Sequence, residues 1–350
     1  MTYSLMALLF CLGGALAATA APKGNSYAKK VTKTYVDLHG EKLVIANQYG
    51  NVDIHAWNKK EVQITITISA QAATYSNAKQ LAYRVNIVDT RNDSEISCKT
   101  TINGTDTMPR ASGLGLEKCS VAYTVYLPAG TDLKLTNQFG NILMGDFTGR
   151  LAIDEKYGDF TAGHIKTIDT LSMQLGNIFI KNLNFGNLLA NGFGAIKIDT
   201  VSGDVRCNLN AGKSSDIGLT NGHYNLTLSS KNVEALNFTC VKNLLANIDI
   251  DAMFTRLDNK SSLNIIDDSS NVKGKHPAKP VTLTVQGMRI DTSITRPMTD
   301  SLKLQLKKKM MTIWLTTKHA HYSTPPAFGN GNPNIKIDAA FGLLTFKEGM

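Results

Sequence analysis

The sequence predicts an all-β fold, a single-domain β-solenoid (β-helix) with coils of about 18 residues, and three observations carry that prediction. Glycine returns every 18 residues at Gly140, Gly158, Gly176 and Gly194, each time behind a large apolar residue: Phe139, Tyr157, Leu175 and Phe193. Set in register, the four units share apolar columns: Leu135, Ile153, Leu171 and Leu189; Ile142, Phe160, Ile178 and Ile196; Met144, Ala162, Ile180 and Ile198; Phe147, Ile165, Leu183 and Val201. On either side of each glycine the apolar residues alternate with polar ones, the period of a strand with one buried face. One coil alone cannot bury these side chains, whereas coils stacked about 4.8 Å apart fill a shared core and pair their backbones. The glycine is expected to take a positive φ at a corner where a Cβ would clash. Asn51, Asn141, Asp159 and Asn177 follow the glycines and suit corner backbone groups. The same Phe-Gly-Asn-Ile run also fits a tight Gly-Asn turn, so the alternative is an antiparallel β meander or sandwich of hairpin repeats.

Taken in order, residues 1–21 read as a signal peptide, with an apolar core from Leu5 to Phe10 and small-residue cleavage sites at Ala15-Leu16-Ala17 or Ala18-Thr19-Ala20. Cys11 follows Phe10, where a lipid-anchor motif wants a small residue. Residues 22–350 read as the solenoid domain, with a loop and helix insertion at about 69–118. The template first occurs at Leu43–Ile54, where Asn47-Gln48-Tyr49-Gly50-Asn51 nearly duplicates Asn137-Gln138-Phe139-Gly140-Asn141. Val62–Ile68 alternates as a strand, and Ala78, Leu81 and Ala82 place a short helix over Tyr75–Arg84. Thr100–Gly115 reads as a surface loop, and Cys119–Leu127 as strand ending in the turn Pro128-Ala129-Gly130. Beyond Asp204 less regular coils continue through Asp216–Gly222, Leu226–Leu228, Leu236–Phe238, Leu244–Ile250 and Leu263–Ile266. Asn271–Pro280 reads as a basic loop, strands are expected near Val281–Val285 and Ile313–Thr317, and the template closes with Ile335–Phe346 around Gly342.

The formal net charge is +9, none of it in the signal segment. In an exported chain such a balance draws anionic envelope polymers and also keeps an elongated β surface soluble. The basic runs Lys273, Lys275 and Lys279, and Lys307, Lys308 and Lys309, are candidate contacts for such a polymer. No recognition motif for nucleic acid is present, and no segment after the signal has the ~20 apolar residues of a membrane-spanning helix. In an oxidising compartment Cys98 and Cys119 would close a loop worth about 3 kcal/mol. Cys207 falls on an apolar strand face and reads as a buried small hydrophobe.

The segment Leu43–Trp57, the passage Val121–Gly140, the run Leu151–Asp159 and the Phe341-Gly342 unit together resemble the bacterial putative adhesin family. These are exported β-solenoid proteins of the Gram-negative envelope, related to autotransporter-like adhesin head domains. The resemblance covers most of the mature chain. It implies a periplasmic or outer-surface protein that acts by surface interaction, and it brings no catalytic residues with it.

Right-handed β-helices also host polysaccharide lyases and glycoside hydrolases, which gather carboxylates in one groove for acid and base work. The carboxylates to weigh are Asp154, Glu155 and Asp159, then Asp249 and Asp251, then Asp267 and Asp268. The alternation Ile248-Asp249-Ile250-Asp251 turns its aspartates to solvent, and the Asp-x-Asp lacks the further loop ligands of a calcium site. His319 and His321 share a strand face but have no third metal ligand in sight, and Gly329-Asn330-Gly331 reads as a loop, not a dinucleotide site. No catalytic residue, metal or cofactor is assigned. The expected function is non-enzymatic: an envelope protein that binds a surface polysaccharide or protein through the flank of the solenoid. A carbohydrate-active enzyme is the alternative.

Overall fold

Residues that align at 18-residue spacing in the sequence sit side by side in parallel strands. Phe160 lies between Ile142 and Ile178, Ile178 beside Ile196, and Ile165 between Phe147 and Leu183. The computed structural model describes residues 25–102, 118–267, 282–285, 288–291, 319–325 and 332–349. In chain order the strands are β1 (Asn25–Tyr35), β2 (Lys42–Gln48), β3 (Val52–Trp57), β4 (Val62–Ala72), β5 (Val85–Arg91), β6 (Glu95–Ile102), β7 (Lys118–Pro128), β8 (Leu133–Gln138), β9 (Ile142–Met144), β10 (Phe147–Lys156), β11 (Phe160–Gln174), β12 (Ile178–Asn191), β13 (Ala195–Val201), β14 (Val205–Leu219), β15 (Asn225–Cys240), β16 (Asn247–Lys260), β17 (Ile266–Asp267), β18 (Thr282–Val285), β19 (Met288–Asp291), β20 (His319–Ser323) and β21 (Asn334–Glu348). One helix, α1 (Tyr75–Tyr83), joins β4 to β5 among the described residues. Its start is fixed by Thr74, whose hydroxyl accepts from the Asn77 amide at 3.1 Å, and it buries Ala78, Leu81 and Ala82. The chain is all-β apart from this helix. Among the described residues nineteen strands make one mixed sheet, and β18 and β19 pair separately.

The hairpin alternative is overturned in the repeat block. The flanks of each Gly-Asn corner do not pair with each other: β8 pairs with β2 and β10, while β9 pairs with β3 and β11, all in parallel. Among the described residues, antiparallel pairing within the large sheet is confined to β1–β4, β4–β7 and β5–β6 at one end and to β16–β20 and β17–β20 at the other, and the separate β18–β19 pair is antiparallel too. Spatial order also departs from chain order at those ends. The β2–β3 unit lies between β6–β7 and β8–β9, and β21 lies between β15 and β16.

Three of the four apolar columns are buried throughout, and the fourth breaks at its last member. The register slips between Ile168 and Leu171, so Leu171 pairs with Leu188, which is fully buried, while Leu189 is 47% exposed. A strand alternates faces at every residue, so a bulge of one residue moves the whole following set to the other face.

The corners correct the expected role of glycine. Positive φ belongs to the large residue before it, at Tyr49 (63°), Phe139 (61°), Tyr157 (63°), Leu175 (58°) and Phe341 (61°). After the slip the left-handed position in the next unit passes to Gly192 (66°), and Phe193 turns inward. Gly50, Gly140, Gly158, Gly176 and Gly342 are required for a different reason: a Cβ on any of them would overlap the backbone carbonyl of the neighbouring strand. Gly194 instead faces the Asn177 side chain. Stacking of the left-handed side chains offsets their backbone cost of about 1–2 kcal/mol each. The ring centroids of Tyr49 and Phe139 lie 5.2 Å apart, and those of Phe139 and Tyr157 4.8 Å apart, with the rings stacked nearly parallel. The residue after each glycine is a rung. Asn51 Oδ1 accepts from the Asn141 amide, Asn141 from Asp159, Asp159 from Asn177 and Asn177 from Ala195, at 2.7–3.0 Å.

The expected strand at Val62–Ile68 runs on to Ala72, and Thr100–Ile102 ends β6 instead of opening a loop. Of the coil expected over Leu263–Ile266 only Ile266 is in a strand, as the start of β17, whereas Thr282–Val285 and the closing β21 are strands as expected. The signal segment, residues 103–117, Asn271–Pro280 and Ile313–Thr317 lie outside the described residues.

Candidate functional site

In their first halves, before the register shift between Lys231 and Ala235, the outward side chains of β14, β15, β21 and β16 stand in straight rows, because parallel strands in constant register keep like positions abreast. The first row is a chain of hydrogen bonds. The Asn247 amide donates to Asn334 Oδ1 at 2.9 Å, Asn334 to Asn225 Oδ1 at 3.1 Å, and Asn225 to Asp204 Oδ1 at 2.7 Å. Arg206, Thr227, Lys336 and Asp249 make the next row, all exposed. An open cleft of about 710 Å³ lies along these rows, with Thr324 also in its lining. A shallower hollow of about 320 Å³ continues on the same face, where Lys156, Gln174, Asn191 and Asn210 are abreast and Asn210 donates to Asn191 Oδ1 at 3.1 Å.

Asn225 and Asn334 each spend one side-chain donor and one acceptor on their neighbours in the row. A second N–H and a second lone pair remain, and in exposed residues they point to solvent. The cleft is thus lined by evenly spaced, partly satisfied donors and acceptors flanked by fixed charges of both signs. It can hydrogen-bond an extended chain of hydroxyls or amides lying across the strands.

The candidate carboxylates do not converge on this cleft. Asp159 is a corner rung, receiving both the backbone and the side-chain amide of Asn177 at 2.9 Å. Asp249 lines the cleft and holds His321 Nε2 at 2.9 Å, while Ile248 and Ile250 are buried as the alternation requires. Asp267 is exposed on β17, and Asp268, the His319 side chain and Gly329–Gly331 lie outside the described residues. So do Lys273, Lys275, Lys279, Lys307, Lys308 and Lys309. Among the described residues no group of three or more His, Cys, Asp or Glu is placed to hold a metal ion. The bridge expected between Cys98 and Cys119 is not formed. The two thiols sit on β6, which pairs with β2 and β5, and on β7, which pairs with β3 and β4, and Cys98 Sγ lies against Tyr123 Oη at 4.0 Å. Cys207 and Cys240 are also free and buried, and burial pushes both thiols up to about 12.

Glu155 is the site residue that the sequence reading misplaced. It is fully buried, and neither carboxylate oxygen has a hydrogen-bond partner of good geometry. It stands in a buried polar column: Thr100 Oγ1 bonds Tyr123 Oη at 2.9 Å and donates to Asn47 Oδ1 at 3.1 Å, and Asn47 donates to Asn137 Oδ1 at 3.1 Å. Glu155 comes next and Met173 beyond it. Burial pushes its carboxyl up to about 8, against the pull of the Asn137 amide, and Asp154 and Asp159 raise it further. The signal was present in the sequence: Glu155 stands three residues before Gly158, the place of Asn47 before Gly50 and of Asn137 before Gly140.

No family model matches the chain, and no curated protein does. Among solved structures it is similar to a putative cell adhesion protein from Clostridium sporogenes, at 10% identity and a TM-score of 0.26, over 92% of this chain and 100% of that one. It is also similar to a putative adhesin from Parabacteroides merdae, at 14% identity and a TM-score of 0.31, over 61% of this chain and 89% of that one. A protein from Parabacteroides distasonis described as a putative lipid binding protein is similar at 11% identity and a TM-score of 0.30, over 62% of this chain and 87% of that one. TM-scores this low do not establish a common fold or a common ligand. The structural neighbours of the chain thus include putative adhesins of bacterial origin, the group that its repeat resembles.

Proposed function

We propose that the protein is an exported, non-enzymatic envelope protein that binds an extended surface polymer along one flank of a β-solenoid. The observation that carries this reading is the hydrogen-bonded row Asp204–Asn225–Asn334–Asn247 beside the 710 Å³ cleft. A row of partly satisfied amides repeating at strand spacing meets a polymer once per strand, and no single coil supplies such a surface. The parallel register of the repeat units supports the solenoid reading, and residues 22–350 are read as one domain after removal of a signal at 1–21. The lysines at 273–279 and 307–309 are proposed as further contacts for an anionic polymer. The location, periplasm or outer surface of a Gram-negative cell, belongs to the same proposal. Among the described residues no helix is long and apolar enough to cross a membrane.

An enzyme of the lyase or hydrolase type needs a carboxyl with a raised pKa facing the substrate. Glu155 has the raised pKa but lies in the core, away from the cleft. A glycan array with the full chain tests the reading, together with a reducing-sugar assay on every glycan that binds. Retention of an extended polysaccharide is expected, weakened about tenfold, or about 1.4 kcal/mol, in Asn334→Ala/Lys336→Ala. Unchanged binding in that variant removes the cleft from the reading, and sugar release moves the protein to the enzyme class.

A further inference from the structure

Two of the Asn-Gly steps in the sequence, Asn191-Gly192 and Asn221-Gly222, lie among the described residues, in opposite surroundings. An Asn-Gly step is chemically distinctive, because glycine carries no side chain to keep its backbone nitrogen away from the preceding amide carbon. What the fold does with that nitrogen decides whether it can react.

Gly192 is held. Its N–H donates to the Asn210 carbonyl at 3.0 Å, and the Leu175 side chain covers the place where a Cβ would stand. Asn191 ends β12 in register with Asn210 of β14, and its Oδ1 accepts from the Asn210 side chain at 3.1 Å. Asn221 and Gly222 lie instead in the bend that joins β14 to β15, and both are exposed. Among the described residues the Gly222 N–H donates no hydrogen bond, and only Tyr224 Cδ1, at 4.0 Å, approaches the place of a Cβ. Asn221 Oδ1 accepts from the Leu245 backbone N–H at 3.2 Å. That donor draws electrons from Cγ and steadies the negative charge that an attack on Cγ places on the oxygen. At this step the nucleophile is unspent and the carbon it must reach is polarised.

We infer that Asn221 is a site of spontaneous deamidation in the folded protein, with water as the only co-reactant, and that Asn191 is protected. The Gly222 nitrogen, its proton taken by solvent hydroxide, attacks Asn221 Cγ. A bond forms between them, the Cγ–Nδ2 bond breaks, and ammonia leaves with a proton drawn from water. Water then opens the cyclic imide at one of its two carbonyls. Opening at Cγ leaves aspartate and opening at the backbone carbonyl leaves isoaspartate, and no atom changes oxidation state. In the isoaspartyl form the main chain runs through Cβ and Cγ and is longer by one bond. That length is added just before buried Tyr224, whose hydroxyl accepts from the Thr220 amide at 3.2 Å, and before Asn225 of the polar row. The reaction needs no ligand, so it stands or falls separately from the proposed function.

The test uses the full-length parent chain, kept folded in mildly alkaline buffer, sampled over days, digested under acidic conditions and read by peptide mass spectrometry. A parallel sample is kept in denaturant. In the folded chain Asn221 is expected to convert at least about tenfold faster than Asn191, since a hydrogen-bonded strand end reacts only in the molecules that have opened locally. In denaturant both steps are solvated alike, and their rates should agree within about threefold. Aspartate and isoaspartate should both accumulate at position 221, the mark of an imide in place of direct hydrolysis. Asn221→Gln, whose longer side chain closes the ring poorly, should lose the signal and leave the slow conversion at Asn191 unchanged. Equal rates at positions 221 and 191 in the folded chain would overturn the inference, as would conversion at 221 that waits for denaturant.

Discussion

Glu155 stands beside Asn137 in the buried column, yet only Asn137 is satisfied at its corner: its amide donates to the Gly140 carbonyl at 2.7 Å. Asn47 makes the same bond to Gly50 at 3.0 Å. A carboxylate has no proton to give to the Gly158 carbonyl, whereas a carboxylic acid does.

A pH dependence follows from that difference. The folded-state pKa, about 8, lies above the ordinary value of 4.5, so between those limits the folded chain keeps a proton that the unfolded chain has lost. The stability tied to this group is therefore intact below about pH 4.5, falls as pH rises to about 8 and stays low above it, a loss of roughly 3–5 kcal/mol at most. Glu155→Gln restores an amide donor at all pH values. Thermal melts of parent and variant should coincide most nearly near pH 4 and diverge toward pH 8, with the variant melting higher. A gap independent of pH would show that the parent carboxyl is not the titrating group.

Glycine at the corners is a matter of contact with the next strand, and that ranks the substitutions. A Cβ on Gly176 would overlap the Gly158 carbonyl, which is fixed backbone, whereas one on Gly194 meets the Asn177 side chain and one on Gly145 meets nothing within 4 Å. Denaturant melts should give the order Gly176→Ala worst, at about 1–3 kcal/mol or more, then Gly194→Ala, with Gly145→Ala near zero. Equal losses at Gly176 and Gly145 would remove the close approach as the reason for the repeat glycine.

The 18-residue period exposed the all-β character and the parallel pairing of the repeat block, because each column has to be apolar for its own strand to be buried, and that requirement is written locally. Three features were not legible. The left-handed conformation belongs to Tyr157 and not to Gly158, and the local sequence hides this because the gain that offsets its strain comes from Phe139 in the neighbouring unit. The placement of β21 was hidden because Ile335 and Ile337 fit against β15 and β16 alike, so side-chain pattern cannot order them. The flank was missed because Asn225, Asn247 and Asn334 are 22 and 87 residues apart in sequence and become a row only once the strands are stacked.

The rungs after the glycines make a further test. Asn177 Oδ1 accepts from the Ala195 amide at 2.7 Å, and loss of that acceptor leaves a partly buried N–H without a partner. Asn177→Ala should cost about 1–3 kcal/mol and speed hydrogen exchange at Ala195 specifically. At Asp159 the accepting oxygen is shared with Asn, so Asp159→Asn should retain parent stability and parent protection of the Asn177 amide. Protection at Ala195 that survives Asn177→Ala would mean that the rung is dispensable.

The register slip at Ile168–Leu171 can be tested with two adjacent leucines. A strict 18-residue repeat places Leu189 in the core behind Leu171, whereas the observed pairing puts Leu188 there, fully buried, and leaves Leu189 47% exposed. Truncating a buried leucine costs about 2–5 kcal/mol through lost transfer energy and the cavity left behind, while truncating one that is half in water costs a fraction of that. Leu188→Ala should therefore destabilise strongly and Leu189→Ala by less than about 1 kcal/mol, read from urea midpoints with unchanged slope. Leu189→Lys sharpens the contrast, since a charge is tolerated on the outer face and ruinous in the core. A severe loss at position 189 with a mild one at 188 would restore the unbroken period and move the bulge elsewhere.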